Sequence, residues 1–213
     1  MNTALSVTAP EIQAVLRECA LNASAGLAEA VRTYLALLLK WNQRANLTGL
    51  DRPAALLKTL FAESFYAATL LEPTDGPVLD VGSGAGFPGM AMHLYRPELP
   101  MILLEPRKKR AAFLTAVRRE LGLSAVTVWS RRLEECRPAD FADRPNVITM
   151  RALGGAAGLI RQAWPLLARP RKILLFLSGR QVAEILKEWP ELTWRSSPTS
   201  WNPDHVVLLG HER

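Results

Sequence analysis

From residue 10 to about residue 72 the apolar positions recur at helical spacing only. Ile12, Val15, Leu16 and Cys19 form one stripe, and Leu27, Val31, Tyr34, Leu35, Leu38 and Trp41 form a longer one. Asp51-Arg52-Pro53 predicts a helix start, with Asp51 as a cap candidate and the proline in the first turn. The apolar pattern then runs through Leu56, Leu57, Leu60, Phe61 and Phe65 to Leu71. From Pro77 the pattern changes to short apolar runs alternating with helical ones. The runs Val78–Val81, Met101–Glu105, Ala125–Trp129, Asn146–Met150 and Ile173–Leu177 predict strands covered on both faces. Between the second and third, Lys108 to Leu121 carries Phe113, Leu114, Val117 and Leu121 on one helical face. Successive strand–helix units imply a parallel sheet with right-handed crossovers. The alternation breaks at the end, where Leu192–Arg195 and Val206–Leu209 read as two strands joined by Ser196 to Asp204. The expected architecture is α/β: an N-terminal helical extension over 1–74, then a domain over 75–213. Its sheet has seven strands, mostly parallel, with an antiparallel strand near the C-terminus.

Composition narrows the setting. The chain has 213 residues, enough for one domain with a full core and a helical appendage. Apolar runs such as Tyr34 to Leu39 are too short to cross a bilayer, and Met1 to Glu11 lacks the basic-then-apolar pattern of a signal peptide. Cys19 and Cys136 stand apart with no CxxC, which points to a reducing compartment and away from a disulfide framework or a zinc site. His93, His205 and His211 are isolated, so no metal is expected. The expected location is therefore cytoplasmic, with no membrane partner. A net charge of +6 at pH 7 favours a polyanionic partner.

The chemistry concentrates after the first strand. Asp80-Val81-Gly82-Ser83-Gly84-Ala85-Gly86-Phe87-Pro88-Gly89 places four glycines within eight residues behind an acid. The loop fits two templates. Gly84, Gly86 and Gly89 satisfy the dinucleotide pattern, with Glu105 about twenty residues on as a ribose-binding acid. Read from Gly82, the loop is G-x-G-x-G with an acid two residues earlier, the first motif of S-adenosylmethionine (SAM) methyltransferases. Asp80 favours SAM, because a carboxylate suits a ligand bearing an ammonium and a sulfonium and sits badly beside a pyrophosphate. The closing strand pair also suits a Rossmann-like SAM-methyltransferase fold better than a dinucleotide fold.

Ligands of such sheets lie at the carboxyl ends of the strands. Asp80, Gly82, Ser83, Gly84 and Gly86 leave the first strand, and Glu105 leaves the second, where two oxygens could accept from two ribose hydroxyls. Arg132-Leu133-Glu134 follows the third, with an acid for an adenine amino group, and Arg151 leaves the fourth. Residues 107 to 132 hold eight Lys or Arg against one acid, Glu120, a run expected on the ligand side to attract phosphates. Trp41 reads as a core residue before a base-stacking platform.

These residues together resemble the bacterial small-subunit ribosomal RNA guanine-N7 methyltransferases, also called the glucose-inhibited division protein B family. The resemblance spans about Leu38 to Gly179. It rests on Lys40-Trp41-Asn42 with Asn46-Leu47-Thr48, the loop from Asp80 to Gly89, Leu104-Glu105, Lys109-Arg110, Phe113-Leu114, Arg132-Leu133-Glu134-Glu135 and Arg151-Ala152. It implies SAM as cofactor, 16S ribosomal RNA of the small ribosomal subunit as substrate and partner, and Gly82, Phe87, Leu133, Glu134 and Arg151 as SAM contacts. Two positions depart from the family pattern. Its usual His-x-x-Asp-Ser is here Leu60-Phe61-Ala62-Glu63-Ser64, and its usual Lys-Gly after the fifth strand is here Ser178-Gly179.

Guanine N7 offers an in-plane lone pair and carries no proton, so its methylation needs alignment rather than a general base. Glu63 is the expected catalytic carboxylate, stabilising charge on the guanine or bonding its edge, and Arg151 the expected positioning group. The rival readings are a SAM-binding RNA-assembly factor without catalysis, a nicotinamide-dependent oxidoreductase, and a methyltransferase acting on another RNA or a small molecule.

Overall fold

A computed structural model describes residues 7–151 and 154–212. Met1 to Ser6 and Ala152, used in the sequence reading, lie outside the described residues. The elements run α1 (Ala9–Glu18), α2 (Ala25–Ala45), α3 (Pro53–Leu56), a π turn (Leu57–Ala62) and α4 (Glu63–Ala68). The sheet region follows as β1 (Val78–Val81), α5 (Gly89–Tyr95), β2 (Met101–Leu104), α6 (Lys108–Glu120), β3 (Val126–Trp129) and β4 (Val147–Arg151). It closes with α7 (Ala156–Ala163), β5 (Lys172–Ser178), α8 (Gly179–Glu188), β6 (Thr193–Thr199) and β7 (Asn202–His211).

The strands form one sheet in the order β3-β2-β1-β4-β5-β7-β6. The first five are parallel, and β7 runs antiparallel to both β5 and β6. This is the mostly parallel, seven-stranded Rossmann-like arrangement that the pattern predicts. Period-two alternation sends Val78, Met101, Leu103 and Val147 to one face, where α1 to α6 pack. Leu79, Val81, Ile102 and Ile148 go to the other face, against α7 and α8. The N-terminal helices and the first face of the sheet thus share one apolar core. Strand β1 lies centrally between β2 and β4, and strand order reverses there, so the ends of β1 and β4 frame the expected ligand crevice.

Local chemistry explains most boundaries. Ser24 caps α2 by accepting from the Leu27 N–H at 3.1 Å. The helix ends at Asn46 in the left-handed region, at φ 46°. Asn42 then ties down the following turn: its Oδ1 accepts from Leu47 and Thr48 N–H, and its amide donates to the Thr48 carbonyl. The Trp-Asn…Asn-Leu-Thr segment is therefore a helix stop built around Asn42.

Four expectations need correction. Asp51 does not cap α3, because the helix starts with Arg52 at the cap position and no side-chain cap bond. The helical pattern to Leu71 conceals the π turn, and α4 ends at Ala68. Strand β3 is not covered on both faces, because it is the sheet edge, and only Val126 in it is buried. The final strands reach well into the proposed connection. Pro198 stops no strand, because β6 is also an edge, and it sits beside a register shift.

The helical layer is fastened by an aromatic cluster. Phe61 is fully buried, with ring centroids 5.3 Å from Tyr34, 6.0 Å from Phe65 and 4.9 Å from Phe87. Phe61→Ala should cost about 3–5 kcal/mol of stability. Urea unfolding followed by circular dichroism checks this, and an unchanged midpoint would contradict the central place given to this ring.

Candidate functional site

The glycine loop folds back on the sheet it leaves. Gly82 and Ser83 donate N–H bonds to the Leu104 carbonyl at 2.8 and 3.1 Å. Gly84 and Gly86 have φ of 57° and 88°, a region that L side chains rarely adopt. Gly84 N–H donates to Glu105 Oε2 at 2.9 Å, and Arg107 N–H donates to Glu105 Oε1 at 2.8 Å. The Glu105 carboxylate thus joins the loop after β1 to the loop after β2. Tyr34 on α2 reaches the same loop, its hydroxyl donating to the Ala85 carbonyl at 2.6 Å while its ring stacks on Phe87 at 5.4 Å.

Asp80 lies beneath this loop and is buried. Its Oδ2 accepts from Gly89 N–H at 3.1 Å, whereas its Oδ1 has no partner. Burial pushes its carboxyl up to about 7, although the Ser83 hydroxyl and the Gly89 N–H favour the ionised form; Glu105 adds a like charge. A buried acceptor oxygen that receives no hydrogen bond fits a ligand that brings a cationic donor, as the ammonium of SAM does. Beside the loop, Val81, Gly82, Leu104, Pro106, Arg132, Leu133, Glu134 and Leu159 line a cavity of about 180 Å³. Its apolar walls and the Glu134 carboxylate suit an adenine ring and its amino group. Of the expected cofactor residues, Gly82, Leu133 and Glu134 line this cavity, Asp80, Ser83, Gly84, Gly86 and Glu105 belong to or hold the adjoining loop, and Phe87 packs into the aromatic cluster behind it. Larger cavities lie along α2, away from the loop.

Glu63 and Arg151 meet at the end of β4. Glu63 is buried, and its Oε2 pairs with Arg151 Nη2 at 2.8 Å. The same Nη2 donates to the Thr59 carbonyl at 2.7 Å, an oxygen within the π turn. Such turns break the regular backbone ladder and recur at functional sites. Phe176 on β5 underlies the guanidinium at 5.2 Å, and Arg151 Nη1 is buried without a partner. Burial lowers the Arg151 pKa, against the opposing pull of Glu63. Sequence reasoning missed two neighbours, both from the start of β7. Asn202 donates its amide to Glu63 Oε1, and His205 Nδ1 lies 3.4 Å from the same oxygen. The available signal was a polar Asn and His leading into an otherwise apolar strand.

Other expected positions are placed differently. The basic run does not sit wholly on the ligand side. Arg107 to Arg110 begin α6 at the carboxyl end of the sheet, but Arg118 and Arg119 are in its last turn. A 13-residue helix spans about 20 Å, which separates the two groups. Arg131 lies over Trp129 at 3.9 Å and pairs with Asp140 at 3.1 Å. Ser178 caps α8 in a capping box with Gln181. Leu60 is nearly buried, and its carbonyl accepts from the Ser64 hydroxyl. Among the described residues no group of His, Cys, Asp and Glu is arranged to hold a metal, and no helix is long and apolar enough to cross a membrane.

A family model described as GidB, rRNA small subunit methyltransferase G, matches residues 27–200. The ribosomal RNA small subunit methyltransferase G of Wolinella succinogenes is 38% identical over 160 residues, covering 75% of this chain and 80% of the relative. A SAM-dependent methyltransferase from Aquifex aeolicus superposes with a TM-score of 0.60 at 15% identity, over 79% of this chain and 97% of its own. Cofactor-bound Rv0187 from MTB gives a TM-score of 0.63 at 16% identity, over 97% and 98% of the two chains.

The raised Asp80 pKa has a signed consequence. The folded protein holds a proton that the unfolded chain, at 3.8, gives up more readily. The stability that this proton contributes is present below about pH 4 and is lost as pH rises through about 7. Urea midpoints measured from pH 4 to pH 8 without cofactor should fall more steeply for the wild type than for Asp80→Asn. Parallel profiles would remove the buried-acid account.

Proposed function

The chain belongs to the rRNA small subunit methyltransferase G family, and from that premise we propose that it transfers the methyl group of SAM to N7 of a guanine in 16S ribosomal RNA of the small subunit. The observation that carries this reading is the meeting of two different sites at adjacent strand ends. An acid-backed glycine loop with an adenine-sized cavity follows β1, and a buried Glu63–Arg151 pair closes β4. The first suits a cationic nucleoside cofactor. The second suits the reacting base.

Bound SAM supplies a methyl group already activated by its sulfonium. The chain supplies position. Asp80 would offer its unpartnered oxygen to the ammonium, Glu105 would accept from the ribose hydroxyls with the lone pairs its backbone partners leave free, and Leu133 and Glu134 would hold the adenine. Gly82, Ser83, Gly84, Gly86 and Phe87 give the loop its close approach. On the acceptor side, methylation leaves positive charge on the guanine, and the Glu63 carboxylate lies where it would stabilise that charge. Arg151 holds Glu63 in place and has its Nη1 group left for the base or its phosphate. In this reading residues 1–74 are a helical extension that buttresses a methyltransferase domain over 75–213, and the protein works in the cytoplasm.

Gly84→Asp should abolish SAM binding, because it forces a side chain into a left-handed position and sets a second carboxylate beside Glu105. Calorimetric affinity equal to wild type would defeat the cofactor assignment. Arg151→Met should cost about 3–5 kcal/mol, because it leaves Glu63 buried without its counter-charge, and should depress kcat. Both are read by urea unfolding and by labelled methyl transfer. Mapping methylated nucleotides on unmethylated small subunits tests the substrate. Wild-type protein that binds SAM and RNA but transfers no methyl would make the chain an assembly factor instead.

A further inference from the structure

Between the last turns of α2 and the first turn of α6 lies an open cavity of about 630 Å³ that neither the cofactor nor the acceptor geometry uses. Lys40, Gln43 and Arg44 line it from α2, Lys109 from α6, and Trp41 forms its apolar wall. Trp41 is fixed by packing on Phe113 at 5.8 Å yet stays partly exposed, and the three cations are exposed. None of them pairs with a carboxylate among the described residues. Helix α6 opens with Arg107, Lys108, Lys109 and Arg110 and has no acid in its first turn. Its dipole adds positive potential at the same place, an arrangement unfavourable for the protein alone. Arg110 connects this region to the cofactor loop. Its Nη2 donates to the Asn46 carbonyl at 3.1 Å, and its Nη1 lies 3.8 Å from where a Gly84 side chain would begin.

Unpaired cations along a groove with an aromatic wall are the elements of a single-strand nucleic-acid site, phosphates tracking the charges and a base covering the ring. We propose that this groove holds a single-stranded stretch of the RNA substrate flanking the methylated nucleotide. Its phosphates lie against Lys40, Arg44 and Lys109, and a base lies on Trp41. The inference rests on the function proposed above in one respect, that the substrate is RNA.

The test is binding of a short fluorescently labelled single-stranded RNA over a series of salt concentrations. Neutralising Lys40, Arg44 and Lys109 together to Ala should weaken binding about tenfold or more. The slope of log K against log salt should fall by about two, each single-strand phosphate contact contributing about 0.7. Arg118→Ala with Arg119→Ala, at the far end of α6, should leave both unchanged. In methyl transfer the triple variant should raise KM for RNA and leave kcat and SAM affinity as in the wild type. Trp41→Leu should weaken binding with the salt slope intact, because stacking carries no charge. Wild-type affinity and slope in the triple variant would overturn the proposal, as would an equal loss from the far-end pair, which would reduce the effect to net charge. A wild-type protein that binds this RNA but transfers no methyl would defeat the proposed function and leave the groove standing.

Discussion

A loop of glycines cannot hold itself in place, and this constraint organises the molecule. Gly84 and Gly86 take left-handed backbone angles and bring no side chain to pack. The loop is therefore held by others. Glu105 grips one N–H, Leu104 accepts two more, and Tyr34 bonds the Ala85 carbonyl from a helix that begins at residue 25. Tyr34 is buried among Phe61, Phe87 and Phe113, so the helical layer holds the loop through this hydroxyl and through the rings packed on Phe87.

The end of β4 depends on an interaction of the opposite kind. Glu63 and Arg151 are a buried pair whose worth lies in geometry more than in energy, because desolvation cancels most of the attraction between them. The π turn and the pair are mutually dependent: the turn offers the Thr59 carbonyl, and the guanidinium satisfies it. Asn202 and His205 take up the remaining capacity of the carboxylate. Glu63 is thus fixed from three sides, by Arg151, Asn202 and His205.

What could be read from the sequence follows the range of each interaction. Four of the parallel strands, β1, β2, β4 and β5, are apolar because both sheet faces bury them, so composition alone marks them, while the edge strand β3 carries the same composition without the same cover. The loop after β1 is legible because glycine at a positive φ has no substitute. The π turn is invisible, because one extra residue in a turn leaves Leu57, Leu60 and Phe61 within an acceptable helical pattern. Prolines suggested that the last strands were short, and only the edge position of β6 makes Pro198 tolerable. The partners of Glu63 lie 139 and 142 residues away, beyond any local pattern. Counting charges found the basic run but could not show that a helix carries Arg118 and Arg119 to the far end of the sheet.

That separation also orders events as the chain is made. The side chains that hold the glycine loop and line the cavity beside it lie between residues 34 and 159. The Glu63–Arg151 pair needs Arg151, and its last two partners arrive only with the strand that begins at Asn202. Synthesis from the N-terminus therefore delivers the glycine loop and its supports well before the surroundings of Glu63 are finished. The antiparallel strand that lies between β5 and β6 thus completes in space what the chain began at Glu63, more than a hundred residues earlier.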